Sequence, residues 1–321
     1  MLNVVGKINP QIAGVFSRLV HPATVLVGLG AAGGLGYLVG NGQTSNTIER
    51  KVDEARISTK ESNSKSETDS VPALIQKIRP GVVRIVTEDT VFSGVVIRDN
   101  ENNKYILSCG HGVPSEDKYK NGTYKILNYN QGPYDEYIEF NGAPYYFEDG
   151  KPAYLSRKEG DLMLLKPLTD KELQALEFRD ASLELEQGTL LFMLGSPHGV
   201  PNTLRHGFSG LYREISLNKG PLQLQLQIDG TLEPGSSGEP SVDKKGNIVA
   251  LNSWKMNNQG VDVNIGFFAV SAISIQDWLE SNGIHVTRSD AERDAIRNWL
   301  LSLDGKGDKN FLRLNYSWPE N

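Results

Sequence analysis

Leu222-Gln-Leu-Gln-Leu-Gln-Ile228 alternates strictly between aliphatic and amide side chains. Successive side chains of an extended chain point to opposite faces, so this run reads as a β-strand with one buried face. Working outward, further short apolar runs separated by turn residues fill the chain from Val71 onward. They are Val82-Val-Arg-Ile-Val86, Ser93-Gly-Val-Val-Ile97, Tyr105-Ile-Leu107, Leu162-Met-Leu-Leu165, Leu190-Leu-Phe-Met-Leu194 and Ile248-Val-Ala-Leu251. Many short strands at this spacing predict an all-β sandwich or barrel. Short helices are expected at each end, Val71–Ile78 before the strands and Ile273–Leu279 after them. No internal repeat is visible.

Three segments carry chemistry. Glu233-Pro-Gly-Ser-Ser-Gly-Glu-Pro240 predicts a tight turn that presents a hydroxyl, with glycines where a Cβ would close off the backbone conformation. The amides of Gly235 and Ser237 would then face inward as an oxyanion hole. Tyr105-Ile-Leu-Ser-Cys-Gly-His-Gly-Val113 sets a histidine just past an apolar strand, and Glu159-Gly-Asp-Leu-Met-Leu-Leu165 sets an aspartate just before one. A serine hydroxyl is a weak nucleophile until a base removes its proton. His111 is the candidate base, Asp161 the group that fixes its tautomer, and Ser237 the nucleophile. The order His, Asp, Ser is one of three chain orders in which this triad occurs on unrelated folds.

Five motifs carry a family resemblance. Ser108-Cys-Gly-His-Gly-Val113, Gly160-Asp-Leu-Met-Leu-Leu-Lys166, Leu194-Gly-Ser-Pro-His-Gly199, Gly235-Ser-Ser-Gly-Glu-Pro240 and Asn264-Ile-Gly-Phe-Phe-Ala-Val270 resemble, in order, segments of the trypsin-like serine peptidases, nearest to the HtrA/Deg protease domain. The resemblance implies two six-stranded antiparallel β-barrels with the triad in the cleft between them, and an endopeptidase acting on protein or peptide through an acyl-enzyme. It also implies that Ser253, Trp254 and Lys255 form the strand that pairs with substrate, with Thr231 to Pro234 as the opposite wall of the primary pocket. Thr231 stands where trypsin-like enzymes that hold basic side chains carry Asp, so a basic preference is not expected. Two departures matter. Ser236 replaces the Asp that binds a newly made N-terminus, and Glu239 replaces a Gly and would crowd the loop after the nucleophile. Glu239 motivates the alternative of an inactive binding or regulatory module on the same scaffold. No peptide-binding PDZ module is recognised after the protease-like region.

The remaining sequence bounds the setting. The 321-residue chain has a net charge of −6, which argues against a nucleic-acid partner, since phosphate binding needs a Lys/Arg excess. Cys109 is the single cysteine, so no intramolecular disulfide forms. No cofactor is implied. His198 and His206 flank a turn without a third ligand at a usable spacing, so no metal is expected. No acid precedes Glu49, and the uncharged run from Ala23 to Gly40 approaches the roughly 20 residues that span a bilayer. Residues 1–41 are therefore expected to be a leader and transmembrane anchor. Lys7 and Arg18 would keep its N-terminal side cytoplasmic and leave the rest extracytoplasmic. A cleaved signal and an organelle-targeting segment stay open. Small residues spaced at Gly30 and Gly34 and at Gly36 and Gly40 would allow helix pairing, which leaves a homo-oligomer open. Residues 42–70 read as a disordered linker, 71–282 as the protease domain and 283–321 as a tail. In that tail Ser289-Asp-Ala-Glu292 predicts a capped helix.

Overall fold

The computed structural model describes residues 70–128, 137–169, 173–180, 185–217, 222–258, 261–287 and 314–316, with isolated positions between 289 and 298. The expected anchor, and the expected linker up to residue 69, lie outside the described residues; Ser70 belongs to the cap of the first helix. Among the described residues no helix is long and apolar enough to cross a membrane.

Helix α1 (Val71–Ile78) opens the described chain. Ser70 caps it, its Oγ accepting from Ala73 N at 3.4 Å; a proline sits in the first turn, and Leu74 and Ile78 turn inward. Arg79-Pro80 ends it and leads into β1 (Val82–Val86). There follow β2 (Val91–Arg98), β3 (Lys104–Ser108), the short helix α2 (Glu116–Asn121), β4 (Tyr124–Asn128), β5 (Ile138–Pro144), β6 (Tyr154–Leu155) and β7 (Leu162–Pro167). These strands make an antiparallel sheet in the order β3-β2-β1-β4-β5-β7, closed by pairing of β3 with β7; β6 is appended to β7. The result is a six-stranded barrel.

A second barrel is built from β8 (Leu190–Gly195), β9 (Thr203–Leu217), β10 (Leu222–Asp229), β11 (Pro240–Val242), β12 (Ile248–Asn258) and β13 (Val261–Ser271). Their order is β10-β13-β12-β11-β8-β9, closed by β9 with β10. Helix α3 (Ala272–Ser281), capped by Ser271, closes the domain. Strand β14 (Leu314–Tyr316), from the tail, pairs in parallel with the end of β9. This addition is not foreseen by the sequence reading. The serine half of the expected capping box forms: Ser289 Oγ accepts from Glu292 N at 3.2 Å.

Each barrel has its own core. Ile85, Val96, Ile106, Ile126 and Met163 fill the first, and Leu191, Met193, Leu226, Ile228 and Phe267 the second. A third cluster draws on both sheets and on helices α1 and α3, with Val95, Leu107 and Leu164 meeting Leu194, Val242 and Leu251. The two barrels therefore share apolar burial along one seam, which fixes their relative placement without a disulfide. The Leu/Gln alternation holds on one face, where Leu224, Leu226 and Ile228 are buried. It fails on the other, because Gln225 is fully buried as well. Its Oε1 accepts from Trp254 Nε1 at 2.7 Å, and the Trp254 ring stacks on Phe268. A buried amide is tolerated where its hydrogen bonds are met.

Candidate active site

Strand pairing brings the first two site residues together. β3 and β7 are antiparallel neighbours, with Ser108 opposite Met163, so the end of β3 abuts the start of β7. The chain leaves β3 through a 3-10 turn, Gly110–Gly112, that carries His111. Asp161 immediately precedes β7 and adopts a left-handed conformation, φ 58°. Glycines flank the histidine for lack of room: a Cβ on Gly110 would lie 2.0 Å from the Leu155 carbonyl oxygen, and one on Gly112 would enter the Phe92 ring.

Asp161 is fully buried and surrounded by donors. Its Oδ1 accepts from His111 N at 2.9 Å, both carboxylate oxygens lie 2.8 Å from His111 Nδ1, and Ser253 Oγ donates to Oδ2. Burial alone would raise the Asp161 pKa. The charge and hydrogen bonds of His111, together with Arg157 and Ser253, outweigh it and bring the carboxyl down to about 2. On the far side of the ring, His111 Nε2 lies 2.8 Å from Ser237 Oγ. A carboxylate, an imidazole and a hydroxyl are thus joined in one run, and the hydroxyl is partly exposed in the cleft.

Ser237 sits on the loop between β10 and β11, and serines of the first barrel hold that loop. Ser93 N donates to Ser237 O at 2.9 Å, and Ser93 Oγ donates to Gly235 O at 2.8 Å while accepting from Ser196 N at 3.0 Å. Ser108 Oγ in turn donates to Ser93 O at 2.6 Å. A Cβ on Gly238 would strike Ser93 O at 2.1 Å, so the close approach of the barrels requires glycine there. Gly238 N donates to Asn252 O at 2.9 Å.

The amides of the turn are oriented by one peptide. Pro234 O accepts from His198 N at 2.6 Å, and the peptide between Pro234 and Gly235 is trans. A trans peptide points its N–H opposite to its carbonyl. The Gly235 N–H is therefore directed away from His198. Among the described residues neither it nor the Ser237 N–H donates to a protein acceptor.

The residues expected along the substrate strand and its opposite wall differ in where their side chains go. Ser253 turns its hydroxyl onto Asp161, and Trp254 is 2% exposed with its N–H engaged by Gln225, so neither side chain faces the cleft. Lys255 is partly exposed and Thr231 is exposed. Glu239 does not stand over the Ser237 hydroxyl. It is fully buried, lies against Gly195, and pairs with Arg205 Nη2. Burial pushes its pKa up and Arg205 and Ser236 pull it back, leaving it at about 7. Cys109 is buried beside Asp161, its Sγ donating to Asn252 O at 3.0 Å; burial and then the charge of Asp161 hold its thiol pKa well above the ordinary range. Cys109, His111 and Asp161 lie close enough together to hold a cation, but these same groups are already engaged by Asn252, Ser253 and Ser237. Sequence reading missed Ser93, Asn252 and Arg205, none of which sits in a recognisable motif, and the bracing role of Ser108, which opens the motif of His111.

Two closed antiparallel barrels with a carboxylate–imidazole–hydroxyl run at their junction define a chymotrypsin-type hydrolase scaffold. Residues 92–251 match the family described as Trypsin-like peptidase domain. The chain belongs to the trypsin-like serine peptidases, with relatives of the HtrA/Deg type. It is 27% identical over 244 residues to Protease Do-like 5, chloroplastic, of Arabidopsis thaliana, covering 71% of this chain and 74% of the relative. With Protease Do-like 1, chloroplastic, of the same plant, it shares 25% identity over 213 residues, 62% of this chain and 46% of the relative. The Bacillus subtilis serine protease Do-like HtrA is 25% identical over 68% of this chain and 44% of its own length. The chain spans about half the length of most such relatives. Among solved structures, an HtrA-type protease, AlgW, superposes with a TM-score of 0.52 at 20% identity, covering 66% of this chain and 63% of that one. An inactive form of Rv3671c from M. tuberculosis superposes with a TM-score of 0.50 at 15% identity, covering 68% and 93%. At these identities the superpositions speak to fold alone.

Proposed function

We propose that this chain is a membrane-anchored serine endopeptidase that hydrolyses protein or peptide substrates through an acyl-enzyme. Ser237 Oγ attacks the scissile carbonyl while His111 Nε2 takes its proton. Asp161 holds the Nδ1–H tautomer and stabilises the imidazolium. The Gly235 and Ser237 N–H groups donate to the oxyanion. His111 then returns the proton to the leaving amine, and water attacks the acyl-serine by the same route in reverse. The observation that carries this reading is the unbroken run from Asp161 through His111 to Ser237, each step at 2.8 Å. The inactive-module alternative loses its motive, because Glu239 is turned into the second barrel rather than over the hydroxyl.

The substrate enters as an added strand along Lys255, with Thr231 on the opposite wall. The uncharged run within residues 1–41 anchors the chain, with the protease domain on the extracytoplasmic side. Supporting the anchor are the length of that run and the basic residues before it. A fluorophosphonate probe tests the chemistry: the full chain is labelled at Ser237, and Ser237→Ala is not. Equal labelling of both, or of neither, rejects the triad. Carbonate extraction tests the anchor, and release of the full chain into the supernatant rejects it.

A further inference from the structure

Arg205 lies on β9 opposite Met193 and outside the five sequence motifs. Its guanidinium makes two contacts. Nη1 donates to the Thr231 carbonyl at 2.5 Å, and Nη2 donates to Glu239 Oε2. Thr231 precedes the nucleophile turn and Glu239 follows it, so one side chain ties together both ends of the loop that carries Gly235 and Ser237. The Arg205 side chain is 13% exposed and Glu239 is fully buried. Glu239 is fastened by its backbone as well: its N–H donates to Ser236 O at 3.1 Å, and its carbonyl accepts from Asn252 N at 2.9 Å. Gly195 supplies the space, since a Cβ there would meet the Glu239 carboxyl carbon at 2.8 Å.

Resting on the peptidase reading above, we propose that Arg205 and Glu239 form a clamp inside the second barrel that positions the oxyanion-hole loop, with Arg205 as a positioning residue for catalysis. Three features support it. A guanidinium offers several donors in a fixed fork, which suits a bridge between a carbonyl and a carboxylate and which an ammonium cannot copy. The carboxyl is also the buried partner of the guanidinium, so removing either group alone leaves the other stranded in the interior and the contact is lost as a unit. Finally, the clamp reaches only the ends of the loop; Ser93 and His198 hold its middle. The loop thereby gains fixed ends without any side chain entering the cleft.

The test compares the full chain with Arg205→Met, Arg205→Lys and the double variant Arg205→Met/Glu239→Met. Fluorophosphonate labelling of Ser237 is timed, and amide hydrogen exchange is followed in 231–239 against 190–195. The clamp predicts labelling slowed about 100-fold in Arg205→Met, the scale of one misplaced oxyanion donor, and about tenfold in Arg205→Lys, with faster exchange confined to 231–239. The double variant guards against simple unfolding, because it leaves no unpaired buried charge. A clamp predicts that it folds, labels slowly and exchanges fast at 231–239. Wild-type labelling in the double variant means the pair serves stability only and overturns the proposal, as does wild-type labelling in Arg205→Met. If the unmodified chain is not labelled at all, the peptidase reading fails. Exchange in 231–239 then decides the clamp by itself, and unchanged exchange overturns it.

Discussion

Replacing Gly235 with alanine tests the oxyanion hole through the backbone alone. Gly235 has φ 92°, and a Cβ added there would stand 2.4 Å from the Ser196 carbonyl oxygen, well inside the 3.0 Å limit that real Cβ atoms respect. Two movements relieve the clash. Ser196 O can retreat, which strains the turn it closes with Gly199 N at 3.0 Å, or the peptide between Pro234 and Gly235 can rotate. Rotation is the softer route, costing the Pro234 O to His198 N hydrogen bond. It swings the Gly235 N–H out of the cleft. Loss of one oxyanion donor costs about 3 kcal/mol in the transition state, or 100-fold or more in turnover. Positive φ adds about 1 kcal/mol of instability. Peptide turnover and thermal unfolding separate the two effects: kcat falls about 100-fold and KM changes little. Gly150→Ala is the control, since Gly150 has φ 79° and nothing within 4 Å of an added Cβ. It carries the backbone penalty of about 1 kcal/mol and keeps full turnover. A folded Gly235→Ala protein within threefold of the unmodified rate refutes the assignment of that amide.

Asp161→Asn keeps the shape of the buried group but offers His111 the wrong tautomer; turnover should fall by about 10⁴, and a loss under tenfold in a steady-state assay contradicts the triad. Trp254→Phe removes the N–H that Gln225 Oε1 accepts inside the barrel wall, so urea denaturation should show a loss of about 1–3 kcal/mol, and a change below the noise of the assay would falsify that account of Gln225. Glu239→Gln changes the pH dependence of stability. Glu239 titrates at about 7 in the fold against an ordinary value of 4.5, so the folded chain holds a proton that the unfolded chain has lost. That contribution, of order 3 kcal/mol, is complete below about pH 4.5 and gone as pH rises through 7. Relative to Glu239→Gln, the unmodified chain should lose stability between pH 5 and pH 8, and parallel curves rule the titration out.

The barrels were legible because their strands announce themselves locally. Every short apolar run from Val82 to Leu251 lies in a strand, and the His111, Asp161 and Ser237 motifs sit at strand ends, where a reader of one sequence looks for them. The limits appear wherever a residue's role depends on a partner far along the chain. Gln225 looks like the polar face of an alternating strand. Inside the barrel it meets the matched N–H of Trp254, and that pairing depends on how β10, β13 and β12 lie side by side. Strand β14 is three residues in a polar tail, too short for any periodicity to register.

Glu239 shows the same limit with more at stake. By sequence it replaces a glycine beside the nucleophile and threatens to block it. A side chain there has two directions available, and local pattern cannot choose between them. The choice is made by a cation on β9 whose place is set by the β8–β9 register, Met193 opposite Arg205, and by the missing side chain of Gly195. Ser93 and Ser253 make the parallel case: one looks like filler in a strand and the other like part of a substrate-pairing strand, yet one holds the Ser237 loop and the other the buried Asp161 carboxylate. The atoms that would react are therefore written in short motifs. The atoms that aim them come from the opposite barrel, as Ser93 and Ser253 do, or from a neighbouring strand of the same barrel, as Arg205 does, and neither source leaves a local pattern.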